Sequence, residues 1–368
     1  MATKNSYWMI VVFAITASPV FADDVAVPPY KQDLYTGGAK GYKAYRIPSL
    51  VVTTKGTLLA FCEGRKDNIR DHGDIDLVLR RSTDSGNTWS EQVIVYEEGG
   101  TEKITIGNPC PVVDRDTGIV WLAFCRNNRD VLMTHSDDDG KSWAKPTEIT
   151  ADVKGENWGW YATGPGHGIQ LTRGKYKGRL VFPCDHDHGA GQADKREGRS
   201  HVLYSDDHGK TFKLGQPTGG RMNECEVVEL ADGRLLLSMR NGYGKGRRAF
   251  ALSKDGGETW SKPELNAQVY CPVCQSSIHR YSWEPNVLIY SAPGGPGRIE
   301  MTVRLSYDEG KTWPVAKLVD EAGSGYSDLA ILPDGSVCCF FESGWRKPLV
   351  FAKFPLKWLA ETRKKPGE

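Results

Sequence analysis

The sequence carries almost no excess of charge of either sign. Its 47 Lys and Arg face 46 Asp and Glu, leaving a formal net charge of +1. That balance sets up no global field that would draw in nucleic acid. Beyond the N-terminal segment no apolar run is long enough to cross a bilayer, so no membrane span is expected there. Metal-site spacing is also missing. Cys271-Pro272-Val273-Cys274 is a lone C-x-x-C, and the nine cysteines do not follow the spacing of a small disulfide framework. Buried strand thiols, or one local bridge, are the expectation, with no metal or organic cofactor implied. Nor does any stretch repeat its apolar residues with a helical period, which excludes helical bundles and alternating α/β folds.

Glycine (41) and tryptophan (11) are plentiful, as many tight turns between packed sheets require. Both occur in one repeated stretch, Ser-x-Asp-x-Gly-x-Thr-Trp, which begins at Ser82, Ser136, Ser205, Ser253 and Ser306. Copies spaced by roughly 50 residues are the mark of stacked supersecondary units. The Asp at the third position can bond its own downstream backbone N–H groups, and the Gly at the fifth permits a positive φ. The terminal aromatic, Trp in four copies and Phe212 in the other, is large enough to pack between sheets. Each box is therefore read as a hairpin turn with an aromatic staple, and its Asp as a turn residue.

Between boxes the pattern is strand, turn, strand, long loop, strand. Arg46–Val52, Thr57–Arg65 and Ile75–Arg81 precede the first box, and comparable triplets precede the others, with Gly166–Thr172 opening the third. Three further strands follow the last box, and the N-terminal segment would complete their sheet. The expectation is an all-β chain, a six-bladed β-propeller of four-stranded antiparallel sheets. The loops 66–73, 150–166 and 185–199 are long and polar, as functional loops on a rigid scaffold tend to be. Asp185-His186-Asp187-His188, within the last of these, looks metal-like at first sight, but a plain solvated loop ranks above both a metal site and a ligand contact. Residues 1–22 have a basic start, the apolar run 7–17 and small residues before Asp23, which describes a cleaved signal peptide. A single domain over 23–368 and a secreted or periplasmic location follow as expectations.

Several charged residues sit at strand ends in different units: Arg46, Arg240 and Arg304, with Glu342 at the end of another. Three guanidinium groups converging on one point would repel unless an anion and neighbouring acids met them. Asp67, Asp71 and Asp74 share one polar loop, and each could supply a proton. Tyr326 follows Gly323-Ser324-Gly325, and Glu224 opens a strand ahead of Arg240.

The ordered set Tyr45-Arg46-Ile47-Pro48, the five boxes, Asn223-Glu224-Cys225-Glu226, Arg240, Arg304 and Tyr326-Ser327-Asp328-Leu329 resembles the exo-α-sialidases. The likeness runs over the whole chain after residue 22. Asn108-Pro109-Cys110-Pro111 and Gly164-Pro165-Gly166-His167 add a resemblance to the animal enzymes of that family. The resemblance implies that Arg46, Arg240 and Arg304 grip a sialic acid carboxylate and that Glu342 orients Arg46. It implies that Asp71 is the acid/base, Tyr326 the nucleophile and Glu224 its base. Arg65 would contact the substrate, as would Asn108 and Gln275, and Trp158, Trp160 and Tyr161 would wall the N-acetyl group. A neutral phenol suits an anomeric carbon that already carries a carboxylate, since a second carboxylate would be repelled. The implied activity is retaining hydrolysis of terminal sialic acid from glycoproteins, glycolipids or oligosaccharides by a monomer. Alternatives are a trans-sialidase, a hydrolase of a related acid such as KDN, or a non-catalytic sialoglycan-binding propeller. The last would be expected to have lost Asp71, Glu224 or Tyr326.

Overall fold

Strand Leu58–Arg65 is buried at every position, and so is Ile106–Val113. Strands this uniformly buried need cover on both faces, and here neighbouring sheets supply it. The computed structural model describes residues 29–188, 197–344 and 348–361, so the expected signal peptide lies outside the described residues.

Each sheet follows chain order. Ala44–Val52, Leu58–Arg65, Ile75–Ser82 and Val93–Tyr96 form the first antiparallel sheet. Ile106–Val113, Val120–Arg126, Asp130–Ser136 and Thr147–Glu148 form the second, and Met222–Glu229, Leu235–Asn241, Arg247–Ser253 and Glu264–Tyr270 another of four strands. Between these lies a five-stranded sheet, and the C-terminal part forms one of seven strands. The seven-stranded sheet arises from one long strand, Val315–Ile331. Its first half pairs with Ile299–Ser306 and its second half with Ser336–Ser343. The N-terminal strand Tyr30–Tyr35 completes the outer edge by pairing antiparallel with Leu349–Pro355. Among the described residues no helix is long and apolar enough to cross a membrane.

The five-stranded sheet departs from expectation. Residues 150–166 are not one polar loop. They include a short helix, Thr150–Val153, and the strand Trp158–Thr163, which pairs with Leu180–His188. The apolar faces of Trp158, Tyr161 and Ala162 make this segment worth burying. The chain then turns at Gly164 (φ 68°) and Gly166 (φ 120°), and only Ile169–Gln170 of the expected strand 166–172 pairs on the same partner. Asp185-His186-Asp187-His188 is likewise the end of that partner strand, with Asp185 and His186 wholly buried, not a solvated loop.

The boxes repeat one set of bonds. In the first, Asp84 accepts from the Thr88 backbone N–H (2.9 Å) and hydroxyl (2.6 Å), while Ser82 Oγ accepts from Gly86 N–H at 2.8 Å. Asp138, Asp207, Asp255 and Asp308 do the same in theirs. Every box Asp is thus occupied by its own turn. The box also carries contact between sheets. A Cβ at Gly86 would lie 2.6 Å from Phe351, at Gly140 2.8 Å from Leu59, and at Gly257 2.8 Å from Val202, each on the preceding sheet. Trp89 meets Phe351 edge-on at 5.1 Å and Trp143 meets Phe61 at 5.5 Å, as the staple reading requires.

The apolar core is divided among clusters that each bridge consecutive sheets. One joins Leu59, Phe61 and Leu79 to Val120, Leu122 and Phe124. Another joins Leu58, Ala60 and Val78 to Cys338, Phe340 and Phe351, so the last sheet packs on the first. All nine cysteines are buried free thiols, and Cys271 and Cys274 are unbridged.

Two glycines separate backbone strain from packing. Gly233 (φ +82°) has open space where a Cβ would go, whereas Gly86 (φ +80°) has Phe351 there. Gly233→Ala should cost about 1 kcal/mol, for the positive φ alone. Gly86→Ala should cost at least about 2 kcal/mol more, from overpacking where the sheets close. Urea denaturation of the two variants checks this; equal losses would mean that the box glycine serves only its turn.

Candidate active site

Four inner strands carry an irregularity at the same end of the molecule. Pairing shifts between Arg46 and Ser49, between Gly107 and Cys110, between Met222 and Cys225, and between Ser324 and Ser327. Ile47 and Asn108 hold positive φ, 61° and 59°. A bulge of this kind kinks a strand and re-aims the side chain it carries. Here the bulges present Arg46, Asn108, Glu224 and Tyr326 at one end of the innermost strands.

Arg46 is held on two sides. Its Nε donates to Glu342 Oε1 at 2.9 Å and its Nη1 to Asp71 Oδ1 at 3.0 Å. Glu342 also accepts from the Ile47 and Tyr326 backbone N–H groups. Burial opposes ionisation of Glu342, but Arg46 and these donors outweigh it and hold the carboxyl below its usual range. Arg65 is wholly buried, donates to Glu63 and lies 3.0 Å from the same Asp71 oxygen. Asp71 stands on the lip, with 61% of its side chain exposed. Its partial burial raises the carboxyl, yet Arg65 and Arg46 together hold it below the usual carboxylate range.

Arg240 Nη1 donates to Glu224 Oε2 at 2.7 Å and to the Tyr326 hydroxyl at 2.9 Å. The Tyr326 hydroxyl in turn donates to Glu224 Oε1. Burial, and then the Glu224 charge, push the Tyr326 phenol well above its ordinary value, so it is neutral until a base takes its proton. Arg46 lies 5.2 Å and Arg298 5.4 Å from the Tyr326 ring centroid. Arg46, Asp71, Arg298 and Glu342 line one open cavity of about 670 Å³.

The third cation is therefore Arg298, not Arg304. Arg298 lies just before the strand Ile299–Ser306. Arg304, six residues further on, sits about 20 Å down that strand. Arg304 is paired in register with Tyr290 and Ala316, and its charged surroundings are Tyr290 and Cys271. Both arginines precede the last box, and Arg298 follows Gly294-Gly295-Pro296-Gly297. That turn, which places it at the strand's mouth, was the available signal. Gln275 is also displaced from its expected role. It is fully buried and bridges Pro165 O, Glu226 and both backbone groups of Ser327, so it braces the strand of Tyr326 and does not face the cavity. Asn108 donates to Asn128, which donates to the Asp71 carbonyl, a support for the acid loop.

Of the other candidates, Asp67 makes no described contact with this cluster, and Asp74 pairs with Lys66 at 2.8 Å. Glu226 and Glu229, further along the strand of Glu224, are buried and do not line this cavity. Tyr161 is fully buried against His201, Trp158 stacks on His186, and Trp160 is partly exposed. Asp185 is held by Asn223 at 2.9 Å. Burial first, then the neighbouring Glu224, push its carboxyl well up.

Residues 56–339 match the family described as a BNR repeat-like domain. The sialidase of Micromonospora viridifaciens is 35% identical over 89% of this chain. The chain belongs to the sialidase family. A sialidase of Bacteroides fragilis is 32% identical over 82% of it. The chain spans 54% and 60% of the length of these two relatives. Among solved sialidase structures, Hadza microbial sialidase Hz136 superposes with a TM-score of 0.82 at 29% identity, covering 90% of this chain and 69% of that one.

For this sialidase-family chain the Arg46–Glu342 pair sets a pH dependence. The Glu342 carboxyl is depressed in the folded chain, so its contribution to stability is present above the unfolded value of about 4.3 and lost as pH falls through the folded value. Glu342→Gln should cost about 3 kcal/mol near neutral pH, because Arg46 is left unpaired. The difference from the unchanged chain should shrink as pH is lowered below about 4. Urea titrations between pH 3 and 7 measure this, and a difference that does not change with pH would remove Glu342 from the pair.

Proposed function

We propose that the chain is an exported exo-α-sialidase that removes terminal sialic acid from glycoproteins, glycolipids or oligosaccharides with retention of configuration. The observation that carries this reading is the Tyr326 hydroxyl donating to Glu224 beneath Arg46, Arg240 and Arg298. The scaffold is read as a six-bladed propeller, in which the long strand Val315–Ile331 serves both as the outer strand of one blade and as the inner strand of the next. Export rests on residues 1–22.

In this reading the three guanidinium groups pair with the sugar carboxylate through their planar forks. Asp71 must be protonated to act as the acid, although Arg65 and Arg46 keep it ionised in the free chain. The arriving carboxylate shares Arg46 and adds a negative charge beside Asp71, and both effects raise the Asp71 carboxyl. The Tyr326 oxygen then attacks the anomeric carbon, Glu224 takes the phenolic proton, and Asp71 gives its proton to the departing glycosidic oxygen. In the second half Asp71 takes a proton from water, whose oxygen forms the new bond to the anomeric carbon. The bond to Tyr326 breaks, and the phenol recovers its proton from Glu224. Two inversions leave the α configuration.

Release of 4-methylumbelliferone from its α-sialoside tests the activity, and NMR of the first product tests the stereochemistry. The α-anomer should appear before mutarotation, and Tyr326→Phe and Glu224→Gln should have strongly non-additive effects. No release would end the hydrolase reading; an initial β-anomer would end the tyrosine mechanism.

The arginine assignment has its own check. Arg298→Lys should weaken kcat/KM by about 2–5 kcal/mol in transition-state terms, because Lys keeps the charge and loses the fork. Arg304→Lys should leave kinetics on the same substrate within twofold. The opposite ranking would restore Arg304 to the site.

A further inference from the structure

The innermost strands that carry Arg46, Glu224 and Tyr326 run on to a second cavity. Leu50, Val228 and Ala330, each four residues beyond its catalytic-end counterpart, line a separate space of about 320 Å³. Four residues of strand put it about 13 Å from the first, and the two cavities share no lining residue. Between them lies a fully buried polar layer made of Glu226, Asp328, Gln275 and Ser277.

The second cavity is built from groups suited to an anion. Arg115 lines it, and among the described residues no carboxylate and no side-chain acceptor meets its guanidinium. His167 also lines the cavity and is 3% exposed. Its Nδ1 is 2.7 Å from Asp328 Oδ1, while its buried Nε2, on the side of the ring away from Asp328, has no partner among the described residues. A buried polar nitrogen without a partner is costly and calls for a ligand or water. The His279 ring stands 4.9 Å from that of His167, with its Nδ1 spent on the Arg280 carbonyl. Trp283 forms a wall, with Arg280 at 4.4 Å and Arg173 at 4.1 Å from its ring centroid. Arg280 is already paired to Glu309. The one carboxylate in the lining, Glu229, is turned into three donors, the Thr172 N–H and hydroxyl and the Arg173 N–H. Among the described residues the unpaired cation of the lining is thus Arg115, and the same lining holds His167 with its orphaned imidazole nitrogen.

We propose that this axial cavity is a binding site for a small oxyanion, a carboxylate or a phosphate, held by Arg115 against Trp283, with His167 Nε2 donating when both of its ring nitrogens carry protons. It does not depend on what the first cavity does.

Inorganic phosphate and glucuronate serve as probes, titrated into the full chain and followed by the fluorescence of Trp283, with Trp283→Phe as the background. Because the arginine cluster of the first cavity also attracts anions, the titration is repeated in Arg46→Met. The Trp283 signal should persist in Arg46→Met. It should weaken at least tenfold in Arg115→Met, an exposed position where the fold is not at stake. Phosphate or glucuronate should also raise the melting temperature of Arg46→Met but not of Arg46→Met/Arg115→Met. The stronger of the two probes assigns the ligand as phosphate or carboxylate. A Trp283 response that survives Arg115→Met at full strength, that vanishes with Arg46→Met, or that neither probe elicits overturns the proposal.

Discussion

Crowding of like charge governs this molecule's candidate active site. Arg46, Arg240 and Arg298 gather around the ring and hydroxyl of Tyr326, with Arg65 just behind. Two unit charges 4 Å apart interact by about 4 kcal/mol at the screening typical of a protein surface, so uncompensated cations would push this end of the fold apart. Each of three is answered by an acid: Glu342 for Arg46, Glu224 for Arg240 and Glu63 for Arg65. Arg298 is the exception: among the described residues no acid meets it, and its guanidinium donates to the Val273 carbonyl at 2.9 Å and lies over the Tyr326 ring. The acids therefore have structural duties before any chemical ones. Glu224 both holds Arg240 and faces the phenol, so the charge balance and the proposed proton transfer use one carboxylate.

The backbone solves a second problem, that of aiming long side chains from strands whose faces are buried. Bulges at one level of successive inner strands turn the chain locally, and the pleat resumes below them. Glu226 and Asp328 follow Glu224 and Tyr326 by two residues and therefore point the same way one step deeper. They meet at Ser277, whose hydroxyl oxygen lies 2.8 Å from Glu226 and 3.0 Å from Asp328. This buried network is a floor beneath Tyr326 and a ceiling over the axial cavity.

Much of this was legible in the sequence because it is local. The box turn is written in eight consecutive residues, and its bonds appear as expected at Asp84, Asp138, Asp207, Asp255 and Asp308. Arg46, Asp71, Glu224, Tyr326 and Glu342 come together because each belongs to a motif with its own signature. What was not legible depends on direction along a strand. Arg298 and Arg304 lie on one segment, and only the strand's start at Ile299 tells which faces the cavity. Gln275 has the composition of a sugar ligand, yet the neighbouring Ser327 and Glu226 take all its bonding capacity. Trp158–Thr163 escaped because a mixed run of Gly, Trp and Tyr has no period, and it becomes a strand only through its partner Leu180–His188.

The pairing of Tyr30–Tyr35 with Leu349–Pro355 has a consequence for how the chain acquires its shape over time. Every other outer strand follows its sheet closely in the chain, whereas this one must wait for a partner more than three hundred residues away. Contacts this distant are slow to form, and until they do both strand edges lie open to other chains. The same wait applies to Arg46, whose acid Glu342 arrives with the last sheet. During synthesis the first cation of the cluster therefore precedes its counter-charge by almost the whole length of the protein. The paired arginine cluster is consequently among the last features to be assembled, and an unclosed chain holds its boxes and strands without it.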